Sequence, residues 1–148
     1  MPHDLAIACV CGRLRRATRA LTQLYDDHMA PCGLRITQFS LLRALLRQGP
    51  VRITELASLA LLDRTALSRN LEPLVEQGLV SIAPGRDART REVALTRAGK
   101  AAYERALPYW RDAQAGVGRK LGANKIDALV GLLASVETLH PEAGEPAR

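Results

Sequence analysis

Apolar residues return at helical spacing through most of this chain, and the breaks in that rhythm divide it into elements. Over residues 5–30, Leu14, Ala17, Leu21, Leu24 and Met29 recur near every third or fourth position. Arg13, Arg16 and Arg19 fall mostly off that stripe, so the segment predicts one long amphipathic helix. Pro31-Cys32-Gly33 ends it. Thr37 then reads as an N-cap, with Ile36 and Leu41 as a hydrophobic staple, and opens a helix that runs to about Gln48, before Gly49-Pro50. Thr54 reads as the cap of a short helix through Ala60, with Glu55 near its positive end. Asp63 caps a further helix over residues 64–77, with Leu67, Leu71, Leu74 and Val75 facing inward, a bend at Pro73 and Gly78 as the C-terminal cap. Two short mixed runs, residues 79–83 and 92–96, flank a stretch from Pro84 to Arg91 and predict a hairpin. After Thr96, a further N-cap, the helical pattern returns with Ala98, Ala102, Ala106, Tyr109 and Trp110, kinked at Pro108. It resumes beyond Gly122 with Ile126, Leu129, Leu133 and Val136.

The chain has 148 residues, 47% of them hydrophobic and only 3% aromatic, so one compact domain built on Leu and Ala is expected, and two full domains are not. The expected fold class is mainly α: a winged helix-turn-helix with a small β-hairpin wing and N- and C-terminal dimerisation helices. Residues 1–148 form one domain on this reading. Within it 1–36 and 97–140 supply the dimerisation helices, 37–96 form the winged helix-turn-helix lobe, and 141–148, rich in Pro, Glu and Ala, are a flexible tail.

Charge then points to a partner. Twenty-one Lys and Arg against fifteen Asp and Glu give a net charge of +6, which favours a polyanion, with nucleic acid first. In a helix-turn-helix the second helix enters the major groove, and a following hairpin lies along the backbone or in the minor groove. Arg64, Thr65, Ser68 and Arg69 cluster near the N-terminal end of the expected recognition helix. Arg69 and Asn70 have the donors and acceptors to read base edges, while Thr65 and Ser68 suit phosphate or a thymine methyl. Arg86, Arg89 and Arg91 surround a lone Asp87 in the hairpin, with Arg89 assigned to the minor groove. For each of these residues singly, a solvated surface is the alternative. One half-site is too little for specificity, so a homodimer on a pseudopalindromic double-stranded operator is expected.

The residues Asp87-Ala88-Arg89-Thr90-Arg91-Glu92-Val93-Ala94-Leu95-Thr96-Arg97-Ala98-Gly99 fit the wing signature of the MarR family of bacterial transcriptional regulators. Ile53-Thr54-Glu55-Leu56-Ala57 and Leu74-Val75-Glu76-Gln77-Gly78-Leu79-Val80 fit its helix-turn-helix, and the chain resembles that family from about Leu14 to Leu139. The resemblance implies an obligate homodimer held by the terminal helices, Arg89 as the wing's minor-groove residue, and a repressor released by a signal. The first stretch resembles the branch that senses organic hydroperoxides. Its reactive cysteine falls on Cys11 and one of three supporting tyrosines falls on Tyr25; the other two positions hold Arg15 and Ile36, so that pocket is not reproduced.

Apart from resemblance, Arg15 lies one helical turn after Cys11, and both a cation and a helix N-terminus favour a thiolate. Oxidation would add a polar group or lead to a disulfide, with Cys32 as a resolving partner in the same chain or across the dimer. The alternatives are Cys11 as an inert small hydrophobe, capture of a soft metal, and an apolar or aromatic effector in the cleft between the dimerisation helices and the DNA-binding lobe. Cys9 and Cys11 lie about 200° apart on a helix and share an ion only if its start unwinds, and His3 and His28 add no ligand spacing. No metal or other cofactor is expected. Catalysis would rest on Cys11 alone, without a second catalytic group or phosphate loop, so no enzyme is expected. The remaining rivals are a protein-docking winged helix, which a neutral or acidic recognition face would favour where this one is basic, and a nonspecific architectural DNA binder. With no long apolar run and with arginines where a leader's apolar stretch would stand, the expected location is the cytoplasm, with no membrane partner.

Overall fold

The computed structural model describes residues 9–141. Helix α1 (Val10–Met29) leads through a 3-10 turn (Ala30–Cys32) to α2 (Ile36–Gln48), a two-residue strand β1 (Val51–Arg52), α3 (Ile53–Ala60) and α4 (Arg64–Glu76). Strands β2 (Val80–Pro84) and β3 (Arg91–Leu95) then precede α5 (Arg97–Leu121) and α6 (Ala123–Glu137). This is a mainly helical winged helix-turn-helix, with one antiparallel sheet in the order β1-β3-β2. The hairpin is in register from Val80 opposite Leu95 to Pro84 opposite Arg91, so its strands sit about one residue from the sequence expectation. Strand β1, with Val51 opposite Val93, was not anticipated, because two residues between a proline and a helix carry no periodicity.

Two helix starts differ from expectation for a shared reason. Thr37 is not the cap of α2. Arg35 holds that place, the Ile36 N–H donates to the Asp26 carboxylate of α1 at 2.8 Å, and the Arg35 N–H donates to Gln38 Oε1 at 3.0 Å. Thr54 likewise lies inside α3, which starts at Ile53 directly after β1. Tertiary contacts set both starts, with the cap two residues before each Thr, so that each Thr lies inside the first turn. Asp63 and Thr96 do cap as expected, accepting from Ala66 N–H at 2.7 Å and from Gly99 N–H at 3.0 Å. Gly33, Gly49 and Gly78 all take positive φ. Pro73 and Pro108 both lie inside their helices, α4 and α5.

The core is one cluster from α2, α3, α4, the sheet and the first half of α5, centred on Phe39, Leu42, Leu45, Leu56, Leu67 and Leu71. Phe39 and Trp110, the chain's single Phe and Trp, stack with ring centroids 5.7 Å apart. Tyr103 stacks on Phe39 at 4.9 Å and Arg43 lies 5.1 Å over Trp110, so this column fastens α2 to α5. The inward assignment of Val75 fails, and the apolar pattern of α5 begins at an exposed position. Val75 is 39% exposed, at the edge of the α4 stripe, and Ala98 is exposed while its neighbour Gly99 is buried.

The terminal helices contrast with this core. Met29 is the one buried residue of α1, and α6 buries none, leaving Val130 58% and Leu132 67% exposed. Among the described residues no helix is long and apolar enough to cross a membrane.

Candidate nucleic-acid interface

The helix-turn-helix is α3, a three-residue turn and α4. Leu61 takes the left-handed conformation at φ 51, uncommon for a branched side chain, and two hydrogen bonds hold it there: Leu61 N–H to Ser58 O at 3.2 Å and Leu62 N–H to Ala57 O at 2.9 Å. Asp63 follows at once as the cap of α4, so the angle between the two helices is set within three residues.

On α4, Leu67, Leu71 and Leu74 are buried, and the opposite sector carries Arg64, Thr65, Ser68 and Arg69, all exposed. The structure thus brings four of the five expected helix contacts onto one face. Asn70 is not among them. It is half-buried, its Nδ2 donates to Ala66 O at 3.0 Å, and it lines a cleft of about 490 Å³ with Thr22, Ile36, Thr37 and Ser40 from α1 and α2. At about 100° per residue, Asn70 lies on the far side of α4 from the middle of the exposed face. Sequence reasoning passed over Glu72, which is exposed on that same outer face.

The wing tip, residues 85–90, is ordered by Asp87. Its carboxylate accepts from Arg89 N–H at 3.1 Å, its carbonyl accepts from Thr90 N–H and from the Thr90 hydroxyl, each at 2.9 Å, and Gly85 N–H closes the loop to Thr90 O at 2.8 Å. The lone acid that the arginines surround is therefore the residue that shapes the tip. Arg86, Arg89 and Arg91 are all exposed around this turn. At the wing's base the Thr96 hydroxyl donates to Gly78 O at 2.6 Å and its N–H donates to Leu79 O at 3.1 Å, joining the end of α4 to the start of α5.

The expected sensor residues are spread along α1. Cys11 is exposed in the first turn, where Cys9 is the N-cap and its sulfur accepts from Gly12 N–H at 3.3 Å. Arg15 is exposed one turn on. Tyr25 donates its hydroxyl hydrogen bond to Gln114 Oε1 of α5, and burial raises its pKa from the usual value. The Cys32 thiol donates to Met29 O at 3.0 Å. From Cys11 to Met29 the helix rises about 27 Å, so Cys32 cannot pair with Cys11 of the same chain, and Tyr25 does not reach that sulfur within one chain. His28 Nδ1 lies 2.9 Å from Leu24 O, and His3 falls outside the described residues.

Comparison with known proteins agrees with this geometry. A model of the MarR family matches residues 33–90, from the end of the 3-10 turn to the wing tip. An HTH-type transcriptional regulator of Bacillus cereus is 33% identical over 96 residues, 65% of this chain and 64% of that protein, so the match spans just under two thirds of the relative's length. The M. tuberculosis transcriptional regulator MosR, solved in complex with DNA, is 39% identical with a TM-score of 0.73, over 86% of this chain and 97% of that one. A variant of E. coli MarR solved with operator DNA is 26% identical with a TM-score of 0.78, over 87% and 94%. A shared helix-turn-helix, wing and chain-long superposition at this identity have one reading: the chain belongs to the MarR family.

Proposed function

We propose that this chain is a cytoplasmic, homodimeric, sequence-specific DNA-binding regulator of transcription that acts by binding, not catalysis. Its α4 enters the major groove of a pseudopalindromic operator. The observation that carries this is the division of α4: a buried leucine stripe on one side and Arg64, Thr65, Ser68 and Arg69 exposed together on the other, followed by a wing whose three arginines project around a tip fixed by Asp87. Arg64 and Arg69 serve guanine edges or phosphate, Thr65 and Ser68 make shorter contacts, Arg89 enters the minor groove, and Arg86 and Arg91 follow the backbone. Asn70 acts from the other side of the helix, toward the cleft.

The second copy covers α6 and the first half of α1, which leave Val130, Leu132 and Val136 of α6 and Val10 of α1 exposed in one chain. On this reading residues 1–36 and 97–140 build the dimer and 37–96 form the reading lobe. The DNA held by MosR and by E. coli MarR supports the partner.

Two signals fit a repressor that lets go of DNA. Oxidation of Cys11, exposed in the first turn of α1, would act at the dimer's end of the molecule, with Cys32 of the second copy as the resolving thiol. The cleft of about 490 Å³ favours the other reading, a small and largely apolar effector, because its lining includes Asn70 of the recognition helix itself.

Fluorescence anisotropy against the chain's own upstream DNA and a scrambled duplex, with and without an organic hydroperoxide, tests these readings. Preference for the upstream duplex that fades on oxidation, and persists in Cys11→Ser, is expected of a thiol switch. Preference indifferent to peroxide moves the signal to the cleft. Equal binding to both duplexes, steep in salt, would make the protein an architectural binder instead.

A further inference from the structure

We infer that Glu72 is a specificity-determining residue that selects cytosine in each half-site, an inference that rests on α4 being the groove-reading helix. The residue lies on the exposed face of α4, one turn after Ser68 and three residues after Arg69. By helical angle it sits between Ser68 and Thr65, in the middle of the face assigned to DNA.

Nothing in the fold accounts for a carboxylate there. The side chain is exposed and, among the described residues, has no ion pair and no hydrogen bond; the single salt bridge found joins Arg52 to Glu55 at 3.5 Å. It caps no helix end, being well inside α4. For solubility alone an arginine would serve as well, and the neighbouring positions Arg64 and Arg69 hold arginines.

Against DNA the two choices differ. An acid facing a polyanion lowers affinity for every sequence, unless it meets a donor that compensates. In the major groove those donors are the amino groups of cytosine (N4) and adenine (N6). Beside adenine N6 stands N7, an acceptor that repels a carboxylate, whereas cytosine offers its amino donor without an acceptor next to it on the same base. Glu72 therefore accepts from cytosine N4 and penalises the other three bases at that position. Arg69, one turn back on the same face, is placed to take a guanine nearby, so a G·C-rich core in each half-site follows. A well-placed contact of this kind discriminates on the order of tenfold. A two-fold operator presents it twice, which gives about a hundredfold for the dimer.

Selection from a pool of randomised duplexes, run in parallel with the wild-type protein, Glu72→Gln and Glu72→Ala, tests this. The wild type is expected to enrich a palindromic motif with a fixed cytosine in each half. Glu72→Gln should move that position toward adenine, which pairs with an amide through N6 and N7, and Glu72→Ala should leave it degenerate, with the flanking positions retained in both. Binding of both variants to a scrambled duplex should tighten. Variants that enrich the wild-type motif, cytosine included, with an unchanged ratio of specific to nonspecific binding would overturn the assignment while leaving α4 as the reader. A wild type that enriches no motif would overturn the DNA-reading function and this inference together. Thermal melting of the variants within a degree or two of wild type, expected for an exposed side chain without contacts, shows that the comparison concerns binding and not folding.

Discussion

Replacing Gly99 with alanine should destabilise this protein sharply, although alanine is the better helix former. A methyl at Gly99 would lie 1.9 Å from the Leu79 carbonyl oxygen and 2.7 Å from Leu95 Cδ1. The carbonyl cannot step aside freely, because it accepts the Thr96 N–H at 3.1 Å, and the Thr96 hydroxyl is committed to Gly78 O at 2.6 Å. Relief comes only by moving the start of α5 off the end of α4. Overpacking of this kind costs about 1–3 kcal/mol, and straining the bond to Leu79 adds about 1 kcal/mol. The helix-propensity gain of alanine over glycine returns at most about 1 kcal/mol. The net loss is roughly 1–3 kcal/mol, a fall in Tm of about 3–12 °C for a chain of this size. Gly116→Ala is the matched control, since it makes the same substitution in the same helix but with Arg119 Nη2, at 3.7 Å, as its nearest neighbour. It should raise stability by about 0.5–1 kcal/mol. Both are measured by thermal and urea unfolding at one fixed protomer concentration, because a dimer's midpoint depends on it. If Gly99→Ala melts at or above the wild type, the close approach of α5 to Leu79 is not a constraint and the joint argued from it falls.

Other expectations follow from the same geometry. Asp63→Ala removes the cap on the Ala66 N–H and should cost about 1 kcal/mol in urea unfolding, with Asp63→Asn recovering most of it. Arg89→Ala should weaken operator binding by about 1–3 kcal/mol per half-site, while Arg86→Ala should mainly flatten the plot of log affinity against log salt, by about 0.9 for each phosphate it no longer neutralises. Tyr25 has its pKa raised by burial, so the folded state holds that proton more tightly than the unfolded state does. Its contribution is therefore complete below about pH 10 and lost as pH rises through the higher folded value. Unfolding of Tyr25→Phe compared with wild type should show a gap that closes in that alkaline window, and a gap constant across it would refute the burial argument.

How far the sequence could be read depends on where each partner comes from. Asp63 and Thr96 were legible as caps because they serve amides three residues away, and Gly49 and Gly78 because their left-handed φ is a local need. Thr37 and Thr54 misled by the same rule: the amide at the start of α2 is satisfied by Asp26, ten residues earlier on another helix, and α3 starts where pairing of β1 ends. The resemblance of the wing signature was recognisable, but its physical content was not. Only the fold shows that its Asp shapes the tip, that its Thr ties Gly78 to α5, and that its Gly makes room for Leu79. Asn70 was assigned outward by residue type, but three residues after Leu67 it stands only about 60° round the helix from that buried leucine, which puts it over the cleft instead.

The placement of Cys11 and of the cleft leads to different routes to the DNA, and that difference can be measured. A ligand in the cleft touches α4 through Asn70, so it alters the reading lobe of each subunit by itself. No hydrogen bond or ion pair among the described residues joins Cys11 to α4 or the wing. That cysteine stands in the first turn of α1, whose one buried side chain, Met29, is at the opposite end about 27 Å away. Oxidation there would reach the DNA only by changing how the second copy is seated, and hence the spacing of the two recognition helices. Such a change weakens binding to a duplex with both half-sites and leaves the intrinsic affinity for a single half-site alone, because one lobe is unaltered. A cleft ligand lowers both. Titrating the reduced and peroxide-treated protein against a full operator and an isolated half-site therefore separates the two. Loss on the full site only, absent in Cys11→Ser, places the signal at the dimer seat, and an equal loss on both would refute that route and place it at α4.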